Sequence, residues 1–341
     1  MEDILCLFLR VALSGNPEEV PTLTDRDWEK LLEEGARHTV SGLLYSAVNV
    51  LWKDIYVPET AWIKLTVIAD RISRRTDKIT QVADKLMTDL SVKGLHPVLM
   101  KGPAVGSFYP NPLLRISGDL DFYFRNDEWR DALSYFQNNA KRFEPSSDGS
   151  FHGMINYVDV DLHNRYFDLH SRFYRMPDIP SAEATLLMLS AHILKHAMGT
   201  GVGLRQICDM AVAYRGLEGN YDPDLLKDYY RRTGTLYWNR ILSAFIYRHL
   251  GIDTNIFPRD DDPDPKLLER IVFRGGNFGH YAAHRSPALA RQSTSRKADT
   301  GLRYLKNLPF GLRCCPREYL LTAGSLIWGN MTLPIKKMKI N

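Results

Sequence analysis

The stretch from Arg115 to Phe124 decides the fold and reads Arg-Ile-Ser-Gly-Asp-Leu-Asp-Phe-Tyr-Phe. Alternate residues of a β-strand face the same side. The stretch therefore predicts a strand that projects Asp119 and Asp121 from one face and points Leu120 and Phe122 into the core. Two carboxylates held so close repel each other, so either they share a proton or a cation lies between them. Oxygen ligands alone favour Mg²⁺ or Mn²⁺.

A glycine turn precedes this strand. The apolar run 96–100 predicts a buried strand, and 104–109 predicts a short helix. Between them, Lys101-Gly102-Pro103 turns the chain, with the proline at the first helical position. Glycine lets backbone N–H groups approach a phosphate closely, and a helix N-terminus favours an anion. An Asp-x-Asp pair alone also occurs in turns and solvated strand ends, so this turn adds weight to a functional interpretation.

Two alternating segments follow the carboxylate pair. Segments 151–157 and 158–163 are typical of antiparallel strands. In the second segment, Asp159, Asp161 and His163 share one face, and valine and leucine occupy the other. The order is then a glycine turn, a carboxylate pair and a third carboxylate, which is what a two-metal phosphoryl-transfer site needs.

That order resembles the nucleotidyltransferase superfamily, which has the polymerase-beta-like fold. More closely, the run from Met100 to Asp121 resembles the uncharacterised bacterial nucleotidyltransferase family, typified by Lys-Gly, a helix, Tyr-Pro, Arg and then an Asp-Ile-Asp strand. Asp161-Leu162-His163 matches a later Asp-Leu-His of that family, and a helical region with His and Asp follows. The match in motifs covers about residues 98–209.

The resemblance implies transfer of a nucleoside monophosphate from an NTP, with ATP the expected nucleotide, to an acceptor hydroxyl, with release of pyrophosphate. Two Mg²⁺ or Mn²⁺ ions would be held by Asp119, Asp121 and Asp161, which are also the implied catalytic residues. The implied nucleotide-binding residues are Lys101, Gly102, Arg115, Gly118 and His196. The acceptor stays open between a small molecule, a protein side chain and an RNA end.

The sequence departs from the superfamily pattern at Pro103, where Gly or Ser is usual, and one phosphate contact is lost there. A catalytically weak or inactive binding or regulatory module of the same fold is therefore the alternative function. A phosphotransferase with a similar metal site is a third. His192 and His196 have the spacing of metal ligands, and Asp209 would complete a set. Hydrogen bonding between helices near the cleft is the preferred interpretation of those three residues.

Helical periodicity dominates the rest of the chain. It predicts helices at 24–36, 39–52, 60–75, 77–92, 127–140, 182–198, 204–215, 222–233, 237–250 and 266–273. The fold class is therefore α+β, with a small mixed-sheet nucleotidyltransferase core flanked by helical regions. We place the N-terminal helical region at 1–94, the core at 95–178, and the C-terminal helical region with its basic tail at 179–341.

Composition excludes several classes of protein. Hydrophobic residues make up 44% and charged residues 25% of the chain, as in ordinary globular proteins. The chain has no run of roughly 20 apolar residues. Its start is a poor signal peptide, because acidic residues precede the apolar stretch. The four cysteines include no Cys-x-x-Cys pair, which argues against a zinc ribbon or a disulfide scaffold. A cytoplasmic location is expected.

The net charge of +4 is unevenly distributed. Residues 291–341 contain ten Lys or Arg and two acidic residues, a local charge of about +8, so the rest of the chain is weakly acidic. A solvated basic surface is the preferred interpretation of this C-terminal end. The alternative is weak contact with a polyanion or an anionic membrane surface.

Overall fold

The computed structural model describes residues 1–146, 149–171, 177–199, 201–276 and 304–325. A mixed five-stranded sheet lies among helices that come from both sides of it in the sequence, so the predicted α+β class is confirmed. The three-part division at residues 94 and 178 stays a prediction. Most of the basic C-terminal end, at 291–303 and 326–341, lies outside the described residues.

The N-terminal region is helical. Its helices are α1 (Glu2–Ser14), α2 (Asp25–Arg37), α3 (Ser41–Leu51) and α4 (Glu59–Val92). The prediction of two helices at 60–75 and 77–92 was wrong, because α4 runs through both without a break. Thr76 lies at the predicted boundary, but a threonine lowers helix propensity only slightly and does not end a helix. Its hydroxyl donates to the carbonyl of Arg115, which ties α4 to the carboxylate-bearing segment.

The sheet segment follows. It comprises β1 (Val98–Leu99), the one-turn α5 (Pro103–Gly106), β2 (Asp119–Tyr123), α6 (Trp129–Asn139), β3 (Lys141–Pro145), β4 (Phe151–Ile155) and β5 (Val158–His163). β1 is shorter than the predicted 96–100 because Pro97 has no N–H for a ladder bond and the N–H of His96 donates to Glu128 instead. α5 ends before the predicted Tyr109. The sequence does not predict the edge strand β3, which lacks apolar alternation.

Strand order in the sheet is β1-β2-β5-β4-β3, and β2 and β5 run parallel at its centre. The register places Asp121 beside Asp161 and Tyr123 beside His163. On the other side of β5, Asp161 lies beside His152 of β4. The sheet therefore brings together residues that the sequence separates by about forty positions, and it does so on one face.

The C-terminal region is again helical. Its helices are α7 (Ala182–Met198), α8 (Leu204–Gly216), α9 (Pro223–Arg232), α10 (Leu236–Leu250), α11 (Lys266–Gly275) and α12 (Leu308–Cys314), followed by a helical segment at 316–325. Within the described ranges, no helix combines the length and apolar character needed to cross a membrane.

Apolar residues form two clusters. One covers the apolar face of the sheet, where Leu120 and Val160 pack with Ile79 of α4 and Phe136 of α6. The other joins α1–α3 to the C-terminal helices and includes Trp28 and Phe245. Because the apolar face of β2 and β5 is covered in this way, their carboxylates project from the opposite face, toward α7 and α8.

Candidate active site

A cavity of about 260 Å³ lies on the carboxylate face of the sheet, bounded by β2, β4, β5, α7 and α8. Every residue predicted for the site contributes to its lining: Lys101, Gly102, Arg115, Gly118, Asp119, Asp121, Asp161 and His196. The structure therefore brings these residues together. The lining also includes His152, Asp168 and Lys195, which carried no prediction, and His163, His192 and Arg205, which lie in the motif-bearing segments but were not predicted site residues.

Asp121 is the buried centre of this cavity. Its Oδ1 lies 2.9 Å from the Lys101 ammonium and 3.0 Å from Nε2 of His163. Burial would raise the pKa of Asp121, but Lys101 and His163 outweigh that effect and hold the pKa far below its usual range. Burial would likewise lower the pKa of Lys101, but Asp121 and Asp168 outweigh it and raise that pKa. Both members of the pair are therefore charged at neutral pH.

Asp121, Asp161 and His163 form a cluster suited to a metal ion. Their ligand atoms all lie within 4.8 Å of one another. Within the described residues, the Oδ2 of Asp121 has no hydrogen-bond partner, so lone pairs stay open toward the cavity. Asp161 contacts His152 through its other oxygen, Oδ1. Two carboxylates and an imidazole fit Mn²⁺ or Mg²⁺.

Asp119 lines the same cavity but is not part of that cluster. Its side chain is open to the cavity, and the described residues give it no hydrogen-bond or ion-pair partner. The protein atoms around it and the neighbouring Asp121 raise its pKa. Lys101 and Arg205 lower that pKa without outweighing the increase, so the charge on Asp119 is only partly compensated by the protein, which is the state expected of a ligand to a cation.

His192 and Lys195 of α7 are held by one carboxylate, that of Asp168 in the segment between β5 and α7. Nδ1 of His192 lies 3.0 Å from Asp168, and the Lys195 ammonium donates to it at 2.8 Å. The same Nδ1 is 3.5 Å from the Lys101 ammonium, which links this group to the Asp121 pair. Burial, reinforced by Lys101, lowers the pKa of His192, so its imidazole is neutral at physiological pH.

Arg115 is held by other protein groups. Its guanidinium binds Asp209 of α8 with two hydrogen bonds, at 3.0 and 2.6 Å, and Nη1 donates to Ser117. Tyr109 donates to the same Asp209 at 2.7 Å. Asp209 is thus committed to an ion pair, and the metal-ligand cluster found among the described residues includes neither it nor His192 nor His196.

Arg205 differs from the other cations of the cavity. Lys101, Arg115 and Lys195 each contact a carboxylate within 3 Å. For Arg205, the described residues provide one hydrogen bond, from Nη1 to the carbonyl of Ile116 at 2.9 Å, and no carboxylate within ion-pair distance. Its Nε is enclosed and has no acceptor. Burial, reinforced by Arg115, lowers its pKa more than Asp209 and Asp119 raise it, so an additional anion would stabilise this charge.

Gly102 forms the turn that faces the carboxylates. Its backbone adopts φ 64° and ψ −121°, a conformation that L-residues with a side chain rarely adopt. A Cβ on Gly102 would meet the carbonyl oxygen of Asp119 at 3.2 Å. The glycine therefore permits a close approach between the turn and β2, and a side chain here would push the turn away from the carboxylates.

We expect Gly102→Ala to destabilise the fold by about 1–3 kcal/mol because of this backbone strain. We also expect it to weaken ligand binding in the cavity, since the turn would move away from β2. Gly106→Ala is the matched control, because a Cβ there meets no atom within 4 Å. Thermal unfolding and steady-state kinetics of both variants measure the difference. Equal effects of the two substitutions would show that the turn geometry at Gly102 is not required.

The lining residues that were not predicted for the site carry weak local signals. His163 lies in the Asp-Leu-His motif, and alternation already places it on one face with Asp161. His152 lies on a strand of its own and reaches Asp161 only through the register of β4 and β5. Asp168 lies in an irregular segment after β5. No pattern of spacing connects it to His192 and Lys195.

Comparison with known proteins was informative at the level of a family. A family model described as an uncharacterised nucleotidyltransferase matches residues 24–247, about two thirds of the chain. That range contains every residue of the cavity lining named above. No curated protein and no solved structure matches the chain significantly.

Proposed function

Because the chain belongs to this family of uncharacterised nucleotidyltransferases, we propose that it transfers a nucleoside monophosphate from an NTP, ATP in the first instance, to an acceptor hydroxyl. One observation carries the proposal. Ligand atoms of Asp121, Asp161 and His163 converge within 4.8 Å on neighbouring parallel strands, in a cavity that Asp119 and the Gly102 turn also line.

In the proposed reaction, the acceptor hydroxyl oxygen forms a bond to the α-phosphorus of the NTP. The bond from that phosphorus to the bridging oxygen breaks, and pyrophosphate leaves with the bonding electrons. Divalent ions, when bound, supply charge stabilisation for both oxygens. Asp161 lies at the edge of the carboxylate group with one oxygen held by His152, and we assign it to orient the hydroxyl and accept its proton.

Charge neutralisation on the phosphates is assigned to Arg205 rather than Arg115. The Arg115 guanidinium already satisfies its charge on Asp209. Arg205 lines the cavity with most of its donors free among the described residues, and a guanidinium binds phosphate oxygens in a bidentate fork. Lys101 has a different role, because its ammonium forms an ion pair with Asp121 and keeps that carboxylate ionised.

We expect Arg205→Met to raise the KM for NTP roughly tenfold to 100-fold, because a charged hydrogen bond contributes about 1.5–3 kcal/mol. Arg205→Lys should recover only part of the loss, since an ammonium cannot form the bidentate fork. Binding of inorganic triphosphate, measured by calorimetry without acceptor, should weaken in parallel. Unchanged triphosphate affinity in Arg205→Met would contradict the assignment.

The function itself is tested with α-labelled and γ-labelled NTPs, Mg²⁺ or Mn²⁺, and separated pools of protein, RNA and small molecules. The α-label should move to one pool while pyrophosphate is released, and that pool identifies the acceptor class. Transfer of the γ-label instead would make the protein a phosphotransferase. Nucleotide binding without any transfer would assign the cavity to a regulatory module, and the absence of both would refute the proposal.

A further inference from the structure

A carboxylate from the far C-terminal end of the described chain reaches the segment that carries Asp168. Glu318, in the helical segment 316–325, accepts hydrogen bonds from the backbone N–H of His170 at 2.5 Å and that of Ser171 at 2.9 Å. The Ser171 hydroxyl donates to it at 2.6 Å. These contacts fix the backbone only two and three residues beyond Asp168.

Glu318 is fully buried, and its neighbours explain why it can be there. Its partners in the described chain are backbone N–H groups, hydroxyls and the His170 ring, without a lysine or arginine. Burial would raise its pKa, but the bonds from His170 and Ser171 outweigh that effect and lower it. A buried carboxylate held in this way is costly compared with an apolar side chain of similar size, so its contribution is to specify a conformation.

The segment that Glu318 holds lies against the cavity. Tyr166, Phe167 and Leu169 are buried around Asp168, and Tyr166 packs edge-on against Tyr123 of β2. Asp168 itself projects toward α7 and contacts His192 and Lys195. A displacement at His170 would therefore move the carboxylate that orients both cavity residues.

We propose that Glu318 is a positioning residue of the nucleotidyltransferase site, which holds segment 166–171 so that Asp168 keeps His192 and Lys195 in place. This inference rests on the proposed function. Glu318 lies outside the range 24–247 matched by the family model, so the contact belongs to the part of the chain that the family model does not cover. The C-terminal helical segment is then a structural component of the site.

The test compares Glu318→Gln with Asp168→Asn and the double variant. We expect Glu318→Gln to lower kcat about tenfold, as loss of an outer hydrogen-bond partner does, and to have little further effect in the Asp168→Asn background. Tyr319→Phe is the matched control. It removes a buried hydrogen bond from the same helical segment, in which the Tyr319 hydroxyl donates to the carbonyl of Tyr304 and, among the described residues, makes no hydrogen bond to the segment of Asp168. Its kcat should be that of wild type. Additive losses from Glu318→Gln and Asp168→Asn would overturn the proposal.

A readout independent of catalysis separates this proposal from the function. The imidazole NMR signals of His192, assigned with a His192→Gln variant, report its bond to Asp168. Glu318→Gln should shift them in the direction that Asp168→Asn does, and unshifted signals would overturn the proposal. If Glu318→Gln does not fold, Ser171→Ala removes one bond to Glu318 and should give a smaller shift of the same sign. A shift in a protein without transfer activity would instead refute the proposed function alone.

Discussion

Asp119→Asn is expected to lower kcat for nucleotidyl transfer on the order of 1,000-fold while leaving the metal-free protein at least as stable as wild type. The Asp119 carboxylate opens onto the cavity and has no partner among the described residues, so removing its charge breaks no contact of the fold. Burial and repulsion from Asp121 raise its pKa, which means that the ionised form is disfavoured in the folded protein. Activity and stability should therefore change in opposite directions.

The pH dependence of that stability has a definite sign. Because the pKa of Asp119 is higher in the folded protein than the ordinary aspartate value of 3.8, the folded state binds the proton more tightly than the unfolded state. The tighter proton binding by Asp119 stabilises the folded protein. This stabilisation is fully present below pH 3.8 and is lost as pH rises through the pKa of Asp119 in the folded protein. The stability advantage of Asp119→Asn over wild type should thus be largest at neutral pH and should vanish in acid, measured by thermal unfolding in EDTA.

Asp159→Asn is the matched control for this variant. Asp159 is exposed, pairs directly with Asp119 across β2 and β5, and is not among the residues that line the cavity. Its kcat should stay within about twofold of wild type, as for an ordinary surface substitution. Retained transfer activity in Asp119→Asn would exclude that carboxylate from the reaction, and a lower melting temperature at neutral pH would contradict the account of its charge.

Asp209→Asn is expected to destabilise the protein by about 3–5 kcal/mol, because it leaves the Arg115 guanidinium buried without its anion. Both side chains of this pair are less than 10% exposed, and Tyr109 donates to the same carboxylate. The pair joins the segment before β2 to helix α8, so its loss should loosen the boundary of the cavity. Urea unfolding followed by circular dichroism measures the change.

Two comparisons make this second prediction specific. Asp70→Asn removes the partner of Arg74 in a pair whose side chains are 55% and 80% exposed, and it should cost less than about 1 kcal/mol. The double variant Arg115→Met with Asp209→Leu should recover part of the loss, because no uncompensated charge stays buried. If Asp209→Asn and Asp70→Asn cost the same, the buried pair contributes no more than a surface contact.

Most of the charged side chains that line the cavity are paired with a side chain of opposite charge. Asp121, Asp168 and Asp209 are each neutralised by a lysine or arginine, and Asp161 contacts His152. Among the described residues that line it, Asp119 and Arg205 form no ion pair at contact distance, although the charge of each shifts the pKa of the other. A metal-bound nucleoside triphosphate has the complementary pair of charges, since its cation would meet Asp119 and its phosphates Arg205.

The sequence by itself determined the centre of the fold and eight of the residues that line the cavity. Strict alternation in 119–123 and 158–163 specifies strands, because a shift by one residue would bury the aspartates and expose the apolar residues. The predicted strand 151–157 was too long, because β4 ends at Ile155 and the turn at Asn156 and Tyr157, both at positive φ, joins β4 and β5 into a tight hairpin. Helical periodicity located the long helices, and the order of glycine turn and carboxylates identified the family.

Tertiary structure alone decided which charges neutralise one another. Nothing in the local sequence distinguishes Arg115, held by Asp209, from Arg205, which has no carboxylate at ion-pair distance among the described residues. The same holds for Asp168 and Glu318, whose partners come from segments about 25 and 150 residues away. The physical reason is the distance along the chain over which each feature is determined. Backbone patterns depend on neighbours a few residues apart, whereas the partner of a buried charge depends on which distant segments the core packs together.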